Sequence, residues 1–209
     1  MTFKGLTFLS AALVAVIAMS SGLARAEEPA AQTPAQFVQH LGEVALTSLT
    51  DKNTPRVIRE KRIRDILENN FDIQTIGRFA MGTYWNEASE TQRKEYLDLF
   101  ENTLVSAYTT RFEDYSGQTL KVGGYTPSGA TDFIVSTQVI QKDGPPINLE
   151  WRIRKENNGL KIVDVVVEGI SMSVTQRSDF SSVIQHGGGK IDALLMSLRE
   201  QNKANSQKT

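Results

Sequence analysis

The hydrophobic period of this chain changes twice, and those changes restrict its fold more than any other feature. From Thr33 to about Phe112 apolar residues recur at helical spacing. From Thr119 to Glu168 the period is two, as in strands with one wet and one dry face. After Glu168-Gly169 the helical period returns. The pattern predicts an α+β fold: N-terminal helices, an antiparallel sheet of about four strands, then C-terminal helices. Helices covering the dry face of a curved sheet can enclose an apolar cavity.

Local signals place the joints. Thr33-Pro34-Ala35-Gln36 and Ser89-Glu90-Thr91-Gln92 have the form of capping boxes. Thr54-Pro55 predicts a second helix opened in the same way, and Asp72 to Met81 a short third. Behind Ser89, Tyr96, Leu97, Phe100, Leu104, Tyr108 and Phe112 form an apolar stripe. Asp143-Gly144-Pro145-Pro146 and Asn157-Asn158-Gly159 read as turns between strands. Ile147, Leu149, Trp151 and Ile153 alternate with Asn148, Glu150, Arg152 and Arg154, and Leu160 to Val167 suits a central strand. Met172 to His186 and Ile191 to Gln201 predict two closing helices, parted by Gly187-Gly188-Gly189.

Residues 1–26 read as a cleaved export signal: Lys4, an uncharged apolar run from Leu6 to Met19, then small residues ending in Ala24-Arg25-Ala26. The mature chain is expected to begin near Glu27, as one domain over 27–203 with a disordered polar tail at 204–209. No second apolar run is long enough to cross a membrane. The sequence has no Cys, which excludes disulfides and a lipid anchor at the cleavage point. Net charge is −1, and removing Lys4 and Arg25 takes it to −3. With no long basic block, nucleic acid is not an expected partner.

Few residues offer chemistry. There are two histidines, His40 and His186. No metal-ligand spacing, P-loop or G-x-S-x-G elbow is present, so no metal, cofactor or catalytic residue is expected. Asp132 and Asp164 lie on strands. Each reads either as an outward-facing strand residue or, in a small α+β enzyme, as a general base. Arg56, Arg59, Lys61, Arg62 and Arg64 give the second helix a basic face. That face is either solvated surface or a dock for acidic partners or anionic head groups.

Several stretches together resemble the periplasmic MlaC-type phospholipid-binding proteins, also called toluene-tolerance proteins. They are Phe79-Ala80-Met81-Gly82-Thr83-Tyr84-Trp85, the Ser89–Arg93 cap, Leu99-Phe100, Leu104-Val105 and Tyr108. Val163-Asp164-Val165-Val166-Val167-Glu168-Gly169-Ile170-Ser171-Met172 then leads into Thr175-Gln176-Arg177-Ser178-Asp179-Phe180. The Gly187-Gly188 break and Leu194-Leu195-Leu198 complete the ordered set. The resemblance implies a periplasmic carrier that binds a phospholipid by its acyl chains. Its partners would be an outer-membrane lipoprotein–porin complex and an inner-membrane ABC transporter lipid-uptake complex. A branch encoded with hopanoid genes has the same build, which leaves a hopanoid as the alternative ligand.

Two chains of ~16 carbons represent ~25 kcal/mol of hydrophobic transfer, so such a carrier needs a long apolar pocket. The candidate lining is Trp85, Phe100, Leu104, Tyr108, Phe112, Tyr115, Phe133, Trp151, Val165, Ile170, Met172, Phe180 and Ile184. Each is equally a candidate for ordinary core. Arg177, after the Gly169–Met172 corner, is the polar candidate, either for a phosphate or to buttress Glu168.

Overall fold

The computed structural model of the chain describes residues 32–207; the predicted export signal lies outside them. Five helices come first: α1 (Pro34–Leu49), α2 (Arg56–Asn70), α3 (Ile73–Met81), α4 (Tyr84–Glu87) and α5 (Glu90–Glu113). Strands β1 (Thr119–Pro127), β2 (Asp132–Ile140), β3 (Ile147–Glu156), β4 (Gly159–Val167) and β5 (Ile170–Ser171) follow. Helices α6 (Met172–His186) and α7 (Ile191–Ser206) close the fold. The sheet is an antiparallel meander in the order β1-β2-β3-β4-β5.

Both capping boxes form. The hydroxyls of Thr33 and Ser89 accept from the backbone N–H of Gln36 and Gln92, whose side chains reach back to the cap residues. The second helix starts differently from its expectation. Pro55 takes the cap position, so Thr54 supplies no side-chain cap. The basic face of α2 is only in part a free surface: Lys61 stays exposed and pairs with Asp65 of the same helix. Arg59 is 4% exposed and donates to Leu49 O at 3.0 Å and Asp51 O at 2.9 Å. Arg62 donates to Ser48 O, and Arg56 and Arg64 pair with Glu113 and Glu101 on α5. The stripe ties α2 to the end of α1 and to α5, because the last carbonyls of a helix need donors.

The fifth strand and the short α4 are additions to the expected pattern. Glu168 at φ 48° and Gly169 at φ 80° turn the chain back, so Ile170 and Ser171 pair with Val167 and Val166. Glu168 is held there by the backbone of Asn148, to which its N–H donates and from whose N–H its carboxylate accepts. At the other end, α7 runs to Ser206, past Gln201 where the last helix was expected to end and into the stretch 204–209 expected as a disordered tail.

Three apolar clusters form. The first joins α3, α5, α6 and α7 through Tyr96, Phe100, Phe180, Ile184, Leu194 and Leu195. The second joins α1 to the sheet through Phe37, Val38, Leu41, Val135, Ile153 and Ile162. The third joins α1, α2 and α5 through Leu49, Ile63, Leu67 and Val105. Gly77 lets α3 approach α5 closely: a Cβ there would lie 2.8 Å from Leu97 Cδ2.

Candidate functional site

The upper half of the α5 stripe is packed solid. Tyr96 and Phe100 stack at 5.8 Å between ring centres, and Phe180 meets both edge-on at 5.8 and 6.0 Å. The Tyr96 hydroxyl donates to Gly77 O at 2.9 Å, and burial pushes its pKa well up. Trp85 joins this lobe edge-on to Tyr96 at 6.5 Å, with the Arg93 guanidinium over its ring. Ile184 is fully buried in the same lobe.

One turn further on, the partners run out. Leu104 and Tyr108 face a narrow gap closed by Leu67 of α2, Phe71, Ile73 and Ile76 of α3, Val165 of β4 and Met172 of α6. The gap measures about 80 Å³. That is well below the ~300–1,000 Å³ of a small-ligand pocket, so a lipid-sized cavity is not open here.

A β-bulge shapes its sheet wall. Ile153 pairs with Ile162 and Arg152 with Asp164, so Val163 is the extra residue. Ile162 and Val165 thereby share the dry face with Trp151 and Val135, and Asp164 takes the opposite face beside Arg152. Asp164 is nevertheless 7% exposed, which corrects the expectation of an outward strand residue. The N-terminus of α6 covers it. Asp164 accepts from Ser171 Oγ at 2.7 Å and from Ser173 N at 3.1 Å, as a carboxylate at a helix N-terminus does. Ser171 also caps α6, accepting from Val174 N.

On the outer side of Asp164 and Ser173 lies a groove of about 390 Å³. Phe79, Phe133, Ile134, Val163 and Val174 form its apolar walls, and Arg152, Arg154, Asp132 and Thr75 its polar ones. Phe79 is 42% and Val174 53% exposed. Arg154 grips Asp132 through two hydrogen bonds of 2.9 Å. This grip holds the Asp132 carboxyl below its usual range. Asp132 is thus tied to Arg154, and Asp164 to Ser171 and Ser173.

The gap brings together five of the thirteen lining candidates: Phe100, Leu104, Tyr108, Val165 and Met172. Phe133 lines the outer groove instead. Trp85, Phe180 and Ile184 belong to the aromatic lobe. Phe112 packs beside Leu49 and Val105. The Tyr115 hydroxyl donates to Gln118 O, and Trp151 Nε1 donates to Thr137 Oγ1. Ile170 stands exposed on β5. Arg177 lies over Phe79 at 5.3 Å, in a neighbouring groove with Gly82 and Trp85, and does not buttress Glu168.

Sequence reasoning missed Phe71, Ile73, Ile76 and Phe79, as well as Arg152 and the Asp164–Ser171–Ser173 hub. Phe79, Asp164 and Ser171 stood in stretches already singled out, and Arg152 in an expected strand, but none was read as lining a groove or as part of a hub. The hub gains its place from the bulge and from the β5 turn, neither of which periodicity shows. Among the described residues no helix is long and apolar enough to cross a membrane.

Fold and site define a helix-clad antiparallel sheet with an apolar gap behind a half-polar mouth. The chain belongs to the MlaC protein family, whose family model matches residues 39–200. It is 25% identical to the intermembrane phospholipid transport system binding protein MlaC of Haemophilus influenzae, across 66% of this chain and 67% of that protein. It is 23% identical to toluene tolerance protein ttg2D of Pseudomonas putida, over 78% of each. A phospholipid-binding protein of Ralstonia solanacearum, solved in complex with a phospholipid, shares the fold with a TM-score of 0.69 at 23% identity. That match covers 81% of this chain and 97% of the other.

Proposed function

We propose that this chain is a non-enzymatic carrier that binds a phospholipid by its acyl chains in the periplasm. It would shuttle the lipid between an outer-membrane lipoprotein–porin complex and an inner-membrane ABC transporter complex. The observation that carries this reading is the apolar gap between α5, β4 and the first turn of α6, in a chain of the MlaC family. The names of the Haemophilus and Ralstonia relatives support the ligand class.

At about 80 Å³ the gap admits a chain only if its walls part. Its lining makes that feasible: Met172 and Tyr108 are partly exposed, and Leu104 and Val165 are only half-buried. Parting them disturbs less packing than entering the aromatic lobe would. In this reading Phe100, Leu104, Tyr108, Val165 and Met172 contact acyl chains. Phe133 and Phe79 meet the glycerol end, and Arg177 stands near the mouth as a cation.

Solvent extraction of the purified protein, followed by mass spectrometry, tests the reading. One phospholipid per chain is the expected result, and a hopanoid in its place would reassign the ligand. A clean extract combined with no uptake from phospholipid vesicles would contradict carriage.

A further inference from the structure

We propose that Arg152 is the residue that selects a phosphate-bearing lipid over a neutral one, by binding the phosphodiester in the outer groove. The inference rests on the carrier reading above. It starts from an imbalance among the charged groups of that groove. Arg154 and Asp132 satisfy each other with two hydrogen bonds of 2.9 Å. Asp164 is satisfied by the Ser171 hydroxyl and the Ser173 N–H.

Arg152 is left over. Its only polar contact among the described residues is Nη1 to Asp164 Oδ2 at 3.4 Å, and its side chain is 51% exposed. A guanidinium has five N–H donors in a planar fork suited to two phosphate oxygens. Most of that fork is unused, and it opens into a groove of about 390 Å³.

Position matters as much as charge. Asp164 and Ser173 line both the outer groove and the apolar gap, so they form the partition between the two. A phosphate on Arg152 therefore sits one side chain away from the space assigned to the tails. Phe79, Val163 and Val174 give the groove apolar walls for the glycerol end. Arg177 is less well placed: it lies over Phe79 in the adjoining groove, which shares only Thr75 and Phe79 with this one.

The test compares uptake of dioleoylphosphatidylglycerol and of dioleoylglycerol, which has the same tails and no phosphate, from neutral carrier vesicles by native mass spectrometry. The wild type should prefer the phospholipid. Arg152→Gln should lower phospholipid loading by roughly tenfold, the low end for a charge-assisted hydrogen bond, and leave dioleoylglycerol loading unchanged. Arg152→Lys should recover part of the loss, which a merely structural role would not predict. Circular dichroism melting should show each variant folded, since the side chain is half-exposed.

Unchanged phospholipid loading in Arg152→Gln, or a loss in Arg177→Gln alone, would overturn the assignment while leaving carriage intact. Uptake of neither lipid by the wild type would overturn carriage and the subsite with it. Millimolar inorganic phosphate should leave phospholipid loading unchanged. Abolition of loading by phosphate would mark a free-phosphate site and overturn the lipid assignment.

Discussion

Two turns of one helix behave differently in this molecule. Tyr96 and Phe100 sit in a lobe where aromatic rings fill each other's edges and α7 closes the far side. Leu104 and Tyr108, on the same stripe of α5, face Val165 and Met172 across unfilled space. The side chains are alike in kind. What differs is the surface opposite. Three helices, α3, α6 and α7, pack into the upper lobe, whereas the lower turns meet a bulged strand and the start of a helix hung on a carboxylate. A dense lobe resists change, and a loosely filled seam is where a ligand can enter at low cost.

The largest expected effect comes from breaking the dense side. Tyr96→Ala should cost about 3–5 kcal/mol in denaturant unfolding, through the cavity and the lost bond to Gly77 O. Lipid loading per folded molecule should stay the same; a matching loss of loading would merge the two regions into one.

Arg59→Ala acts on the wall behind the gap, since α2 carries Leu67 there. It leaves Leu49 O and Asp51 O without their donor, for an expected loss of about 2–3 kcal/mol. A melting temperature within a degree of wild type would show that the basic stripe is ornamental to stability.

Met172→Trp tests the seam itself. Met172 is partly exposed, so the larger ring should change stability by less than about 1 kcal/mol while filling the gap. Phospholipid uptake from vesicles should fall clearly; undiminished uptake would place the tails elsewhere.

Asp132→Asn should be the smallest, about 0.5 kcal/mol at neutral pH for a partly exposed ion pair. Its sign follows from Arg154, which holds the Asp132 pKa low in the folded state. The pair stabilises the fold above the unfolded carboxyl value, near 3.9, and its contribution disappears as pH falls through the folded value. Wild type and variant should therefore converge in acid unfolding curves once the pH has fallen below the folded value.

The layout of helices, meander and helices was legible because period and capping are local properties. Thr33, Ser89 and the turn at Asn157-Asn158-Gly159 act as read. The site was legible only in part. Phe100, Leu104, Tyr108, Val165 and Met172 were named, but so were Phe180 and Ile184, which pack in the dense lobe. An apolar helical stripe looks the same whether its partner surface is full or empty. Asp164 shows the complementary difficulty. Strand parity put it opposite its valine neighbours, yet its burial depends on where α6 begins. The basic face of α2 read as either solvated surface or a dock because its acceptors, Leu49 O, Asp51 O, Glu113 and Glu101, lie on other elements.

The contrast between lobe and seam can be read directly with a phospholipid carrying a photoreactive diazirine near the end of one acyl chain. After loading and illumination, peptide mapping should place the adducts on Leu104 to Tyr108, on Val165 and around Met172. Adducts on Tyr96, Phe180 or Leu194, or spread over the solvent face of the sheet, would contradict the central claim that the tails occupy the gap between α5, β4 and α6.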